Sequence, residues 1–183
     1  LAGGRSSRMR EDKALVEVDG SPMICIIARE LAKAGKEPIR IAISSPEKID
    51  EYGKVIDDDI EIEWILDAKK YAGPIEAILE SLQDPQCKEI ETLQLCTVDV
   101  PWIKSDLFVS LEERIEDKDV LIMPHDGNRS QPLLALIRPC SVLELLEGSQ
   151  KMPLNDLFST VPHSLLIEDP SVLRNVNRFD DLK

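Results

Sequence analysis

Residues 1 to 13, LAGGRSSRMREDK, bring two adjacent glycines, two hydroxyls, three arginines and a lysine into one short stretch. That mixture suits a polyphosphate. Glycines let backbone N–H groups approach an anion with no Cβ in the way. Arg8 and Lys13 then neutralise charge that amide dipoles leave over. The spacing is neither GxxxxGK[ST] nor GxGxxG, so neither of those phosphate loops is present here. The plain alternative is a flexible glycine turn with solvated basic residues. Ser6, Ser7, Arg8 and Lys13 together favour the phosphate reading.

Three further groups could work with this loop. Val98-Asp99-Val100-Pro101 follows the most apolar run of the chain, and Pro101 stops the expected strand. Asp99 then stands at a carboxyl edge, where one carboxylate can hold Mg²⁺ against phosphate oxygens and water. Its alternative role is to cap the helix that follows. Asp67 also follows an expected strand, and Gly73-Pro74 opens a helix whose free N–H groups can face a base or phosphate. Taken alone, that segment also reads as an ordinary junction. In Arg174-Asn175-Val176-Asn177, alternation puts both amides on one side of an extended segment. There they can hydrogen-bond a heterocycle or complete a metal site, or simply form a turn. His125 and His163 are too far apart to suggest a zinc site.

The elements that must position these groups alternate along the chain. Ser21-Pro22 is expected to open a helix that Gly35 closes, with Ile24, Ile27 and Leu31 at helical spacing. Strands are expected over 38–44 and 61–66, with a short helix over 47–52 between them. A helix follows Gly73-Pro74. Residues 92–98 form a nearly continuous apolar run, as in a central parallel strand covered on both faces. A helix over 106–115, paired strands over 120–123 and 133–137, short helices over 141–146 and 154–158, and a strand over 164–167 complete the pattern. Strands alternating with helices predict an α/β fold with a mostly parallel sheet sandwiched by helices, its ligand at the carboxyl ends of the strands. In that fold a strand precedes a phosphate loop, and here it is expected to be missing or cut to a stub ahead of Leu1. No repeat or linker interrupts 1–183, which reads as one nucleotide-binding domain.

Composition narrows the partners. The chain has 183 residues, 43% of them hydrophobic and only 4% aromatic, so its core is built from Ile, Leu and Val. A net charge of −13 disfavours nucleic acid or an anionic membrane as partners. An anionic ligand must therefore find a local basic pocket. Cys25, Cys87, Cys96 and Cys140 are widely spaced with no CxxC pair, which reads as isolated reduced thiols. No apolar run approaches the ~18 residues of a membrane span. A cytoplasmic protein is expected.

Taken together, LAGGRSSRM…DKAL, Asp67…Gly73-Pro74, Val98-Asp99-Val100-Pro101 and Asn175-Val176-Asn177…Asp180-Asp181-Leu182 resemble the molybdenum cofactor guanylyltransferases. These are also called molybdopterin-guanine dinucleotide synthases, and they sit within the sugar-nucleotide-transferase-like nucleotidyltransferases. The resemblance spans nearly the whole chain. It implies a Rossmann-like three-layer α/β/α sandwich with a mixed sheet, of the nucleotide-diphospho-sugar transferase type. It implies Mg²⁺-dependent transfer of GMP from GTP to molybdopterin or its molybdenum-bearing form, with release of pyrophosphate. A cofactor-delivery protein is an implied partner. By the same resemblance Leu1, Ala2, Gly3 and Gly4 line the nucleotide site, and Arg8 and Lys13 contact phosphates. Asp99 binds the metal, Asp67, Gly73 and Pro74 lie near the nucleoside, and Asn175 and Asn177 serve the acceptor. Arg10, Ser45-Pro46 and Glu76-Ala77 depart from the family's usual Gly, Asn and small-residue-Gly. A relative using CTP or another phosphorylated acceptor, or a nucleotide-binding protein without catalysis, shares the same loop.

Overall fold

The structure, a computed structural model, describes residues 12–66, 73–148 and 152–182. The chain enters through a 3₁₀ turn, Lys13–Leu15, and a short hairpin of β1 (Glu17–Val18) and β2 (Ser21–Pro22). There follow α1 (Met23–Lys33), β3 (Ile39–Ile43), α2 (Glu47–Gly53), β4 (Ile62–Leu66) and α3 (Pro74–Leu82). Then come β5 (Leu93–Gln94), α4 (Ser105–Arg114), β6 (Leu121–His125), β7 (Leu136–Ile137), α5 (Pro139–Glu147), α6 (Leu154–Phe158) and β8 (His163–Ile167).

Among the described residues β3 and β4 form one parallel pair, and four further strands pair in the order β5-β7-β6-β8. The β6–β8 pair is parallel over its whole length, from Leu121 opposite His163 to His125 opposite Ile167. β7 runs antiparallel to both β5 and β6. The sheet is thus mixed, and its longest pairings are parallel.

Alternation along these strands builds the layers. Ile122 and Leu136 join a cluster with Ile24, Ile27 and Leu31 of α1 and Leu107, Phe108 and Leu111 of α4. Their neighbours Leu121, Met123 and Ile137 point the other way, into a cluster with Ile78 of α3, Val142 of α5 and Phe158 of α6. Successive residues of one strand therefore feed opposite cores, as a sheet covered on both faces requires. The helical layers are also tied by polar groups. Buried Glu30 of α1 accepts from the Ser105 N–H at 2.8 Å, capping α4, which has no side-chain cap of its own.

Two local expectations are corrected. Ser21-Pro22 does not begin the first helix; it is the second strand of the hairpin, and the helix starts at Met23. The deciding signal is Asp19-Gly20, whose φ values of +51° and +77° make the tight turn that Asp-Gly favours between paired strands. The strand expected over 92–98 shrinks to Leu93–Gln94. Its partner explains why. The Leu95 N–H still donates to the Ala135 carbonyl at 2.8 Å, but upstream of Ala135 the chain curls into a 3₁₀ turn, Pro132–Leu134, and the ladder has nothing left to follow.

At Gly20 an added Cβ meets nothing within 4 Å, so Gly20→Ala isolates the backbone cost of positive φ. That cost is about 1–2 kcal/mol. For a chain of this size it lowers Tm by about 2–8 °C. A thermal melt by circular dichroism checks this, and an unchanged or higher Tm contradicts the left-handed turn.

Candidate functional site

Three residues far apart in sequence meet at one point. Lys13 lies in the turn after the opening loop, Asp99 in the turn after β5, and Asn177 in the extended segment near the C-terminus. The Lys13 ammonium donates to Asp99 Oδ2 at 3.2 Å and to Asn177 Oδ1 at 3.0 Å. The Lys13 and Asp99 side chains are 20% and 23% exposed, so solvent and ligands reach them. An ion pair of this exposure contributes at most about 1 kcal/mol, and either partner is cheaply released to something else.

Each member is held from behind. Thr97 Oγ1 donates to Asp99 Oδ1 at 2.8 Å, which fixes the carboxylate so that Oδ2 faces Lys13. The Asp99 carbonyl accepts from the Val176 N–H at 2.8 Å, stitching the strand end to the C-terminal segment. Val176 is itself buried with Val16, Val18 and Met23, so the hairpin packs directly beneath the two asparagines. Asp181 Oδ2 accepts from the N–H groups of Asn177 and Arg178 at 2.7 and 2.8 Å. Those two donors hold the Asp181 carboxyl below the usual carboxylate range. The bonds are therefore intact at neutral pH and are lost only on strong acidification.

Asp12 anchors Lys13. Its Oδ1 accepts from the Ala14 N–H at 3.1 Å, closing the 3₁₀ turn. Its Oδ2 accepts from the Tyr52 hydroxyl at 2.8 Å and from the Lys48 ammonium at 2.7 Å, both on α2. Burial and the Asp12 bond both push the Tyr52 hydroxyl well above its ordinary range, so it stays a donor. The turn that carries Lys13 is thus tied to the helix that follows β3.

The structure therefore brings together Lys13, Asp99 and Asn177. Asn175 lies two residues from Asn177, and its Oδ1 is buried with no hydrogen-bond partner. A buried unpaired acceptor is costly, and a ligand donor would relieve it. Gly73 and Pro74 open α3, where Gly73 has φ +110° and Pro74 takes the first helical position. Leu1, Ala2, Gly3, Gly4, Arg8 and Asp67 lie outside the described residues. Thr97, Tyr52 and Lys48 are supporting residues that sequence reasoning passed over, while Asp12 and Asp181 stood within the quoted motifs with no role given to them. Thr97, two residues before Asp99, carried a local signal by its position, whereas nothing local pointed to Tyr52 or Lys48.

Asp99 Oδ2 and Asn177 Oδ1 already surround one positive charge. They are hard oxygen donors, the kind a small divalent cation takes. Among the described residues no group of three His, Cys, Asp or Glu side chains is gathered for a metal. This site would hold such an ion only with oxygens from substrate and water.

Comparison with known proteins gives this geometry its context. Residues 1–163 match the family model described as the MobA-like NTP transferase domain. The chain belongs to that family. It is a nucleotidyltransferase by type. A molybdenum cofactor guanylyltransferase from Shewanella halifaxensis is 27% identical over 97% of this chain and 86% of its own length. A probable molybdenum cofactor guanylyltransferase from Methanothermobacter thermautotrophicus is 25% identical over 100% of this chain and 95% of its own. In fold, the nucleotidyltransferase resembles the crystal structure of molybdopterin-guanine dinucleotide biosynthesis protein A from Archaeoglobus fulgidus, with a TM-score of 0.72, 20% identity, and coverage of 100% of this chain and 92% of that one. The nucleotide-diphospho-sugar transferase fold expected from the sequence is the fold observed.

Thr97→Val keeps the side chain's shape and removes the donor to Asp99 Oδ1. If this cluster serves the nucleotidyl transfer, kcat falls by about 10-fold or more, since a misplaced group at a reacting centre is costly. Tm changes by no more than a few degrees. Unchanged kcat would show that Thr97 does not position Asp99.

Proposed function

We propose that this nucleotidyltransferase transfers GMP from GTP to the terminal phosphate of molybdopterin, or of its molybdenum-bearing form, and releases pyrophosphate. The observation that carries the reading is the convergence of Lys13, Asp99 and Asn177 at the carboxyl ends of β3 and β5. The relatives' names as molybdenum cofactor guanylyltransferases supply the substrates.

The reaction is a displacement at the α-phosphorus. An oxygen of the acceptor phosphate forms the new P–O bond. The bond to the β-phosphate bridging oxygen breaks, and its electron pair leaves on pyrophosphate. The acceptor phosphate is already ionised at neutral pH, so no strong general base is needed. Positioning and charge stabilisation then carry most of the catalysis. In a chain of net charge −13 the polyphosphate is repelled by the general field, and local cations must hold it. Lys13 and Arg8 serve that role over the departing pyrophosphate. The backbone of Leu1, Ala2, Gly3 and Gly4 lines the nucleotide, and Asp67, Gly73 and Pro74 face the nucleoside. Asn175, with its unpaired buried carbonyl oxygen, and Asn177 orient the acceptor.

Mg²⁺ fits the oxygen donors of Asp99 and Asn177. When bound it would supply positive charge to the reacting phosphates. Asp99 would hold it, and Lys13 would move from Asp99 to the phosphates. A cytoplasmic setting suits these substrates, and a delivery protein would hand over the pterin.

Asp99→Asn preserves shape and the Thr97 contact but removes the charge. It lowers GTP-dependent pyrophosphate release by about 100- to 1,000-fold, the scale of one lost electrostatic group, and leaves the far-ultraviolet spectrum unchanged. Activity within a few-fold of the parent would refute the role of Asp99. In a panel of GTP, CTP, ATP and UTP with molybdopterin, GTP gives the highest kcat/KM, and EDTA abolishes turnover until Mg²⁺ is restored. Preference for CTP would move the protein to a cytidylyl reaction on the same site.

A further inference from the structure

Arg174 opens the segment that carries Asn175 and Asn177, and its charge is not spent on a carboxylate. Arg29, Arg40 and Arg138 are each ion-paired, to Asp57, to Glu63 and Asp84, and to Glu91. Among the described residues Arg174 has no such partner. Its guanidinium lies instead over the Trp102 ring, with Cζ 4.0 Å from the ring centroid. Arg174 is exposed, and Trp102 is half-buried against the cluster of Val16, Val18, Met23 and Val176. Apolar packing thus fixes the indole, and the indole presents the guanidinium. An aromatic face orients a guanidinium and leaves its outer face and N–H groups for another partner.

This pair stands at one end of the site. Trp102 lies three residues beyond Asp99, and Arg174 three residues ahead of Asn177. The Val176 N–H on the Asp99 carbonyl ties the two stretches together at 2.8 Å. The Asp181 carboxyl that pins Asn177 is held low first by the N–H groups of Asn177 and Arg178, then by the charges of Arg178 and Arg174, so the Arg174 guanidinium is near that anchor. Asn175 and Asn177 point to one side of the segment, and Arg174 leaves on the other, over Trp102. It therefore stands beyond the end of the asparagine face, not among the groups around Lys13. Three extended residues span about 10 Å. An acceptor with its phosphate at Lys13, Asp99 and Asn177 thus passes Asn175 and meets Arg174 well away from the reacting end. There a phosphorylated pterin offers its flat ring system.

We propose that Trp102 and Arg174 form the platform for the acceptor's flat heterocycle, the end remote from the reacting phosphate. This rests on the reading of the protein as a transferase to a phosphorylated pterin. The heterocycle lies on the outer face of the guanidinium, giving a stack of indole, guanidinium and ring. Guanidinium planes stack on unpaired nucleobases in the same way. Asn175 Oδ1, buried without a protein partner, accepts from an N–H group of the ring. Arg174 touches the acceptor; Trp102 acts through Arg174 and is a positioning residue. Binding energy gathered at the remote ring orients the phosphate oxygen toward the α-phosphorus. Lysine at position 174 would keep the charge and lose the plane.

The test measures steady-state kinetics with molybdopterin and GTP, and thermal melts, on the parent, Arg174→Ala, Arg174→Lys and Trp102→Phe. Arg174→Ala raises KM for molybdopterin by about tenfold or more and leaves KM for GTP within about twofold. Its Tm stays within a few degrees of the parent. Arg174→Lys recovers little, whereas Trp102→Phe, which keeps an aromatic face, stays close to the parent. The chain has two tryptophans, so in a Trp64→Phe background indole emission reports Trp102 alone. Molybdopterin added without nucleotide changes that emission, and Arg174→Ala abolishes the response. An unchanged acceptor KM in Arg174→Ala, or full recovery with Arg174→Lys, would overturn the platform. A raised KM for GTP alone would also overturn it, because Arg174 would then serve the nucleotide. A parent that turns over molybdopterin with no nucleoside triphosphate would instead defeat the underlying reading. The Trp102 emission then decides the platform by itself: an Arg174-dependent response upholds it, and no response ends it.

Discussion

The site depends on a single ammonium group that, among the described residues, bonds Asp99 and Asn177. Lys13, Asp99 and Asn177 are separated by most of the chain, and nothing local forces them together. They meet because the ends of β3 and β5, the hairpin and the C-terminal segment converge there. The contacts among them are of ordinary length, partly exposed and individually weak. That weakness suits the chemistry. A deeply buried, tightly bonded pair would resist separation by several kcal/mol, whereas this one can trade carboxylate for phosphate at small cost.

What is weak at the centre is fixed around it. Asp12 ties the lysine turn to α2 through Tyr52 and Lys48, Thr97 orients the carboxylate, and Asp181 pins the backbone of Asn177 and Arg178. A small apolar cluster of Val16, Val18, Met23 and Val176 joins the hairpin to the asparagine segment. Beneath all of this the mixed sheet is clamped between α1 and α4 on one face and α3, α5 and α6 on the other. The geometry of the three polar groups is therefore set by aliphatic packing, while their charge is left free to respond to a ligand.

Much of this was legible in the chain. Although Pro101 is not what stops the ladder, since the strand already ends at Gln94, the apolar run before Asp99-Val100-Pro101 pointed to a carboxylate beyond the carboxyl end of a strand, because the run demanded burial. The alternation of helix and strand patterns gave the layered α/β class for the same reason. Other parts were hidden for physical causes. The role of Asp12 rests on Tyr52 and Lys48, forty residues away, and no spacing announces that contact. Thr97 looked like one more strand residue until the strand proved to stop at Gln94, and that stop was decided by the segment ahead of β7 turning at Pro132–Leu134. The hairpin was concealed because Ser21-Pro22 mimics a helix start; Asp19-Gly20 was the stronger local signal.

The most direct test is a crystal structure of the protein with Mg²⁺ and a non-hydrolysable GTP analogue. The account predicts the triphosphate within hydrogen-bonding reach of Lys13 Nζ, the cation on Asp99 Oδ2, and the Lys13–Asp99 contact opened. Nucleotide density lodged elsewhere, with Lys13 still bridging Asp99 and Asn177, would contradict it.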